Sequence, residues 1–172
     1  NATPGNQFRK VVDYRVLNSC TFTRAFPLVR LVELFHRIGS LKPTCFCNFD
    51  MTDGYFQMPM HQNSWKYTAF IFTLGIYSYT RVPQGLKNAG SYFQEMMSQI
   101  FKVGLWIWLA IYLDDIILFT NSEEEMLIAL EKFLQICQDR NLFLSPKKSI
   151  LFARELEYTG QIIDKDGTKF SN

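Results

Sequence analysis

Two adjacent aspartates, Asp114 and Asp115, interrupt the run Ile107–Phe119, which is otherwise apolar and aromatic. Carboxylates held in apolar surroundings without a partner cost free energy, so the pair predicts something positive beside it. A hard divalent cation suits, because it prefers carboxylate oxygen. A third acid, Asp50, ends the strand-like run Cys45–Asp50, with Gly54 close behind. If the two strand ends are neighbours, three carboxylates converge and raise one another's pKa. Two divalent ions about 4 Å apart would relieve that repulsion and clamp the attacking and leaving oxygens of a phosphoryl transfer. The plainer alternative for Asp114-Asp115 alone is a polar β-turn, where Asp is common. Its flanks argue against that. A solvent-facing hairpin alternates apolar and polar residues, whereas this run is apolar on both faces.

The elements that must position these acids follow from pattern and punctuation. The first segment, to about Thr21, reads as a short strand and turn. Pro27 opens a helix with Leu31, Leu34, Phe35 and Ile38 at helical spacing, and Gly39 closes it. After Cys45–Asp50, Met51 to Gln57 is a tight turn or a single helical turn. Tyr67 to Thr73 and Tyr77 to Val82 form a hairpin around Leu74-Gly75. Pro83-Gln84-Gly85 is a breaker, and a helix follows from about Lys87 to Phe101. Two strands flank the acidic pair. Ser122 is an N-cap with Glu125 completing a capping box. That helix would bury Met126, Leu127, Leu130, Phe133, Leu134 and Cys137 and stop near Asn141. Two strand-like pieces then run to Ile163, and Asp166-Gly167 marks a turn near the end. The order predicts an α+β fold with antiparallel pairings.

Bulk properties set limits. The 172 residues suit one domain or part of a larger one, and 48% hydrophobic content supports a real core. A net charge of +2 excludes a polycationic surface, so nucleic-acid affinity would have to come from local basic clusters. Cys20, Cys45, Cys47 and Cys137 contain no CxxC, and His36 and His61 do not complete a zinc site. They read as buried free thiols of a reducing compartment. The chain starts at Asn1 without a Met, as a piece of a longer polypeptide would. The apolar run from Val103 is too short for a membrane span, and the two acids would sit near its centre.

Tyr112-Leu113-Asp114-Asp115 resembles the YxDD box of reverse transcriptases. Asp50-Met51-Thr52-Asp53-Gly54-Tyr55-Phe56-Gln57 resembles the preceding metal-binding box. Val82-Pro83-Gln84-Gly85-Leu86-Lys87-Asn88-Ala89 resembles the next, with Phe93-Gln94 at the usual spacing. Phe8 to Asn18 is similar to the fingers segment, and Leu144 to Lys148 and Tyr158-Thr159-Gly160 to the end of the palm. Five boxes in order, over nearly all 172 residues, resemble the Pol polyprotein of gypsy-type LTR retrotransposons and retroviruses.

The resemblance implies a right-hand polymerase palm, an antiparallel sheet backed by helices, with part of the fingers. Residues 1–45 would be partial fingers with a connecting helix and 46–172 the palm, interleaved around 57–83. Asp50, Asp114 and Asp115 would bind two Mg2+, with Mn2+ as a substitute, and the Met51 carbonyl would join them. Arg9, Asp53, Gly54, Tyr55 and Gln84 would hold the dNTP, with Tyr55 excluding a 2′-hydroxyl. Lys10, Gly85, Lys87, Gln94, Tyr112, Leu113, Lys147, Lys148, Tyr158, Thr159 and Gly160 would contact primer or template. The implied reaction is RNA-directed DNA synthesis on an RNA or DNA template, serving retroelement replication. Thumb, RNase H, integrase and protease are expected outside this chain. The implied location is intracellular, in a cytoplasmic particle or the nucleus, with no membrane. Gly90 stands where Pro is common, and Gln84 where gypsy-type elements usually carry Phe. Two alternatives stay open: a catalytically inactive or domesticated nucleic-acid-binding remnant, and an RNA-dependent RNA polymerase, which would want a small polar group at Tyr55.

Overall fold

The computed structural model describes residues 11–24, 26, 30–158 and 160–170. Its first helix is α1 (Arg15–Ser19), where extended chain was expected. The cause is local: the Asp13 carboxylate accepts the Arg15 backbone N–H at 3.0 Å and its side chain at 2.6 Å, which nucleates a helical turn. α2 (Leu31–Ser40) runs through Gly39 and buries Leu34, Phe35 and Ile38. Its expected opening at Pro27 lies outside the described residues.

β1 (Cys45–Asp50) leads into a one-turn helix, α3 (Gly54–Gln57). α4 (Gln62–Trp65) and a 3₁₀ turn at Lys66–Thr68 precede the short hairpin of β2 (Phe70–Phe72) and β3 (Gly75–Tyr77). That hairpin is shorter than expected because the Thr68 hydroxyl, not a ladder partner, accepts the Tyr79 N–H at 3.0 Å. α5 (Ala89–Ile100), β4 (Leu109–Tyr112), β5 (Asp115–Thr120) and α6 (Glu123–Asp139) follow. A 3₁₀ turn at Pro146–Lys148 leads to β6 (Ile150–Ala153), β7 (Leu156–Tyr158), β8 (Gln161–Asp164) and β9 (Gly167–Phe170).

The central sheet has the order β4-β5-β1-β6, with every pairing antiparallel. Side chains alternate between its faces. Cys45, Cys47, Phe49, Leu109, Ile111, Ile116 and Leu118 face α5 and α6, where Phe93, Met97, Met126, Ala129, Phe133 and Cys137 complete one core. Phe46, Ala110, Ile117 and Phe119 face α2 and the three-stranded sheet β7-β8-β9, where Leu34, Phe35, Ile38, Leu156, Tyr158 and Ile163 complete the other. The sheet is covered on both sides, which is why β1 and β5 are nearly continuous in apolar residues.

α6 starts as read: Ser122 Oγ accepts the Glu125 N–H at 3.2 Å, and Glu125 Oε2 accepts the Asn121 N–H at 3.0 Å. Its buried stripe is Met126, Ala129, Phe133 and Cys137. Leu127 (57% exposed) and Leu134 (44%) fall off that stripe, contrary to expectation. All four thiols are free, but Cys20 is exposed rather than buried. Among the described residues, no helix is long and apolar enough to cross a membrane.

Candidate active site

The acids meet where β1 and β5 end side by side. Asp50 and Asp115 are direct cross-strand partners, so they share one face of the sheet. Leu113 and Asp114 form the two-residue turn between β4 and β5, whose last pair is Tyr112 and Asp115. Like charges placed opposite each other in a sheet repel. Burial, then Asp50, then Asp115 raise the Asp114 carboxyl above its ordinary range. Burial and then Asp50 do the same to Asp115. Asp114 Oδ1 is buried and has no hydrogen-bond partner. Both Asp50 oxygens are held by Lys148 Nζ, at 3.1 and 2.9 Å.

Leu113 takes a left-handed conformation (φ 53°), unusual for a side chain branched at Cγ. Gln94 holds it there. Its Oε1 accepts the Leu113 N–H at 2.9 Å and its Nε2 donates to the Ile111 carbonyl at 3.2 Å. Gln94 is 2% exposed, so the expected template contact is corrected: it faces the acidic turn from inside the core.

Beyond β1, the chain is pinned on both sides of Met51. Ser145 N–H donates to the Asp50 carbonyl at 2.8 Å and Thr52 N–H to the Phe143 carbonyl at 3.0 Å. Met51 and Leu144 form the antiparallel bridge between them, so the Met51 carbonyl is not spent on this pairing. Asp53 is left-handed (φ 48°) and swings the chain into α3. A Cβ on Gly54 would lie 3.0 Å from Asp114 Oδ1 and 3.2 Å from the Phe93 ring, so glycine is what lets this turn pass the acids. Tyr55 leans on Phe93, with ring centroids 5.2 Å apart. Its hydroxyl lies beside the acidic turn, since a Cβ on Gly90 would be 3.8 Å from both Tyr55 Oη and Leu113 Cδ2, and burial followed by the Asp114 charge raises its pKa.

Two polar clamps were not foreseen as such. The Asn18 amide donates to the Gly85 carbonyl and accepts the Lys87 N–H, both at 2.8 Å, which fixes the Gln84-Gly85 turn from α1. Gln57 donates to the Thr52 and Phe143 carbonyls and accepts the Phe143 N–H at 2.8 Å. Each clamp joins chain segments far apart in sequence, so no local pattern marks it.

The remaining expected contacts are scattered. Gln84 is half-buried and Gly85 exposed with φ +94°. Lys87 is exposed, but its Nζ donates to the Thr21 carbonyl at 2.9 Å. Tyr112 is half-buried and packs on the α2-facing core. Lys147 is exposed. Tyr158 is buried, with its hydroxyl 3.4 Å from the Asp115 carbonyl, and Gly160 is exposed at φ +80°. Arg9, Lys10 and Thr159 lie outside the described residues.

Three carboxylates at two adjacent strand ends, one with a buried oxygen lacking a partner, suit a hard divalent cation. Among the described residues, no three His, Cys, Asp or Glu side chains form a ready-made ligand shell; Asp50 is engaged by Lys148 instead.

The family model described as reverse transcriptase (RNA-dependent DNA polymerase) matches residues 3–163. The chain is 34% identical over 169 residues to the retrovirus-related Pol polyprotein from transposon 297 of Drosophila melanogaster, covering 98% of this chain and 16% of that protein. It is 37% identical over 161 residues to the enzymatic polyprotein of Cauliflower mosaic virus (strain NY8153), covering 94% and 23%. The chain therefore spans under a quarter of the length of these relatives. The foamy viral protease-reverse transcriptase in complex with dsDNA superposes with a TM-score of 0.82 at 25% identity, over 99% of this chain and 35% of that one.

Proposed function

Because the chain belongs to the reverse transcriptase (RNA-dependent DNA polymerase) family, we propose that it carries the nucleotidyl-transfer site of an RNA-directed DNA polymerase of a retroelement Pol polyprotein. The observation that carries this reading is the register pairing of Asp50 with Asp115 beside the unpartnered Asp114 oxygen. Asp50, Asp114, Asp115 and the Met51 carbonyl would hold divalent cations, two Mg2+ with Mn2+ as a substitute. When bound, such ions supply charge neutralisation for the primer 3′-hydroxyl and the leaving pyrophosphate.

The chain's own residues do the positioning. Gln94 sets the turn that presents Asp114. Gly54 leaves room for that carboxylate, and Asp53 and Gly54 offer backbone N–H groups on the triphosphate side. Tyr55, wedged on Phe93, forms the wall that disfavours a 2′-hydroxyl. Gln84, in the turn fixed from Asn18, lines the same pocket, and the family resemblance assigns Arg9 to the incoming triphosphate. Gly85, Lys87, Tyr112, Leu113, Lys147, Tyr158 and Gly160 serve the primer–template side, to which the family resemblance also assigns Lys10 and Thr159. Residues 1–45 act as fingers with a connecting helix and 46–172 as palm, interleaved around 57–83. The partners are a primed RNA or DNA template, dNTPs and the other parts of a Pol polyprotein, within an intracellular particle.

The test is incorporation of dTTP on an oligo(dT)-primed poly(rA) template with Mg2+. Asp114→Asn and Asp115→Asn should each lower the rate on the order of a thousandfold, several kcal/mol of lost charge stabilisation. Unchanged incorporation in both variants would sink the assignment.

A further inference from the structure

Lys148 was expected at nucleic-acid phosphates, but its ammonium sits on Asp50. Nζ lies 3.1 Å from Oδ1 and 2.9 Å from Oδ2, so it claims both oxygens of the carboxylate. Those are the atoms a divalent cation would take, and two cations cannot occupy them together without strong repulsion. The contact is also prearranged by the backbone. Ser145 N–H donates to the Asp50 carbonyl at 2.8 Å, and Lys148 N–H donates to the Ser145 carbonyl at 3.1 Å. The Ser149 hydroxyl donates to the same Ser145 carbonyl at 2.9 Å. The turn that carries Lys148 is thus tied to the strand end that carries Asp50. The two side chains differ in freedom, however. Lys148 is 63% exposed and Asp50 only 24%. The lysine can withdraw into water at little cost, while the carboxylate is fixed by β1.

We propose that Lys148 is a displaceable counter-ion of the metal site: it neutralises Asp50 and must give up both oxygens before a divalent cation can bind there. This role rests on the reading of Asp50 as a metal ligand. Lys148 then sets the threshold for metal loading, and the Pro146–Lys148 turn is where loading is felt first. Lys147, exposed on the same turn, makes no ion pair with Asp50 and serves as the internal comparison.

The experiment is Mn2+ binding to the chain without nucleic acid, read from the free-Mn2+ electron paramagnetic resonance signal. An exposed ion pair is weak, so Lys148→Gln and Lys148→Met should each tighten Mn2+ binding by about two- to fivefold. Lys148→Arg should bind like the wild type or more weakly, and Lys147→Gln should stay within the error of the wild type. In an Asp50→Asn background, Lys148→Gln should no longer tighten binding. Circular dichroism melts verify that each variant is folded. Unchanged or weaker binding in Lys148→Gln, or an equal gain in Lys147→Gln, overturns the counter-ion role while leaving the metal site standing. Failure of the wild type and every variant to bind Mn2+ would remove the metal site itself, and this role with it.

Discussion

The hairpin β2–β3 turns at Thr73 and Leu74, and β4–β5 turns at Leu113 and Asp114; both are apolar strands joined by two residues. Their surroundings differ. Leu109, Ala110 and Ile111 in β4, and Ile116, Ile117 and Leu118 in β5, are fully buried, while Ile71, Leu74 and Ile76 are 84%, 90% and 76% exposed. β4–β5 is extended by β1 and β6 into a sheet with a core on each face, whereas among the described residues β2 and β3 form a separate two-stranded sheet. Apolar content therefore does not decide burial; the neighbouring elements do. The difference also explains why carboxylates matter in only one hairpin. An acid at the tip of an exposed hairpin is hydrated, but Asp114 at the tip of a covered one has an oxygen that water does not reach.

The widest gap between the hairpins should be in stability. Ile117 and Ile76 sit two residues and one residue into the returning strands. Ile117→Ala opens space in a filled core and should cost about 2–5 kcal/mol in urea unfolding. Ile76→Ala should stay within about 0.5 kcal/mol. Equal losses would show that β2–β3 is covered in solution and would break the contrast. A smaller effect separates the turns. Gln94 braces the Leu113–Asp114 turn, and among the described residues no side-chain hydrogen bond reaches Thr73 or Leu74. Gln94→Leu strands the Leu113 N–H and the Ile111 carbonyl, which should cost about 1–3 kcal/mol. It should lower the maximal incorporation rate more than it raises the KM for dNTP, because the turn holds an acid and not the base. A change in KM alone would refute the bracing role.

What could be read beforehand follows the same divide. β1, β5, α5 and the Ser122 cap are governed by neighbours in sequence, and Asp50 and Asp115 were readable because strand ends and acids coincide. The hairpin β2–β3 is shorter than its sequence pattern suggests because a hydroxyl replaces ladder pairing at Thr68. The outward turn of Leu127 and Leu134 depends on where α6 meets the sheet, which helical spacing alone leaves open. Gln94, Lys148, Asn18 and Gln57 could not be placed for a common reason. Each is a polar side chain reaching across 17 to 98 positions, and only the tertiary structure supplies its partner. The motif resemblance marks Gln94 and Lys148 for nucleic-acid contacts and is silent on the partners they have within the fold, Leu113 and Asp50.

The smallest predicted effect uses charge instead of packing. Asp114 and Asp115 have carboxyls raised above the ordinary 3.8 by burial and by neighbouring acids. The folded chain therefore takes up protons at a higher pH than the unfolded chain. By linkage, stability without divalent ions rises as pH falls from neutral through those raised values, and the gain is complete near pH 3.8. Both acids are only half-buried, so solvent damps the effect to a shift of a few degrees in Tm, at about 2–4 °C per kcal/mol for a domain of this size. The hairpin β2–β3 contains no acid between Phe70 and Tyr77 and contributes nothing to this slope. In EDTA, lowering the pH from 8 towards 3.8 should raise the wild-type Tm relative to that of the double variant Asp114→Asn, Asp115→Asn, which should itself have the higher Tm at pH 8. Mg2+ should reduce that relative rise, by stabilising the ionised acids at pH 8. A wild-type Tm that follows the double variant in parallel all the way from pH 8 to pH 3.8 would show that the two acids are hydrated, as they would be at the tip of the exposed hairpin.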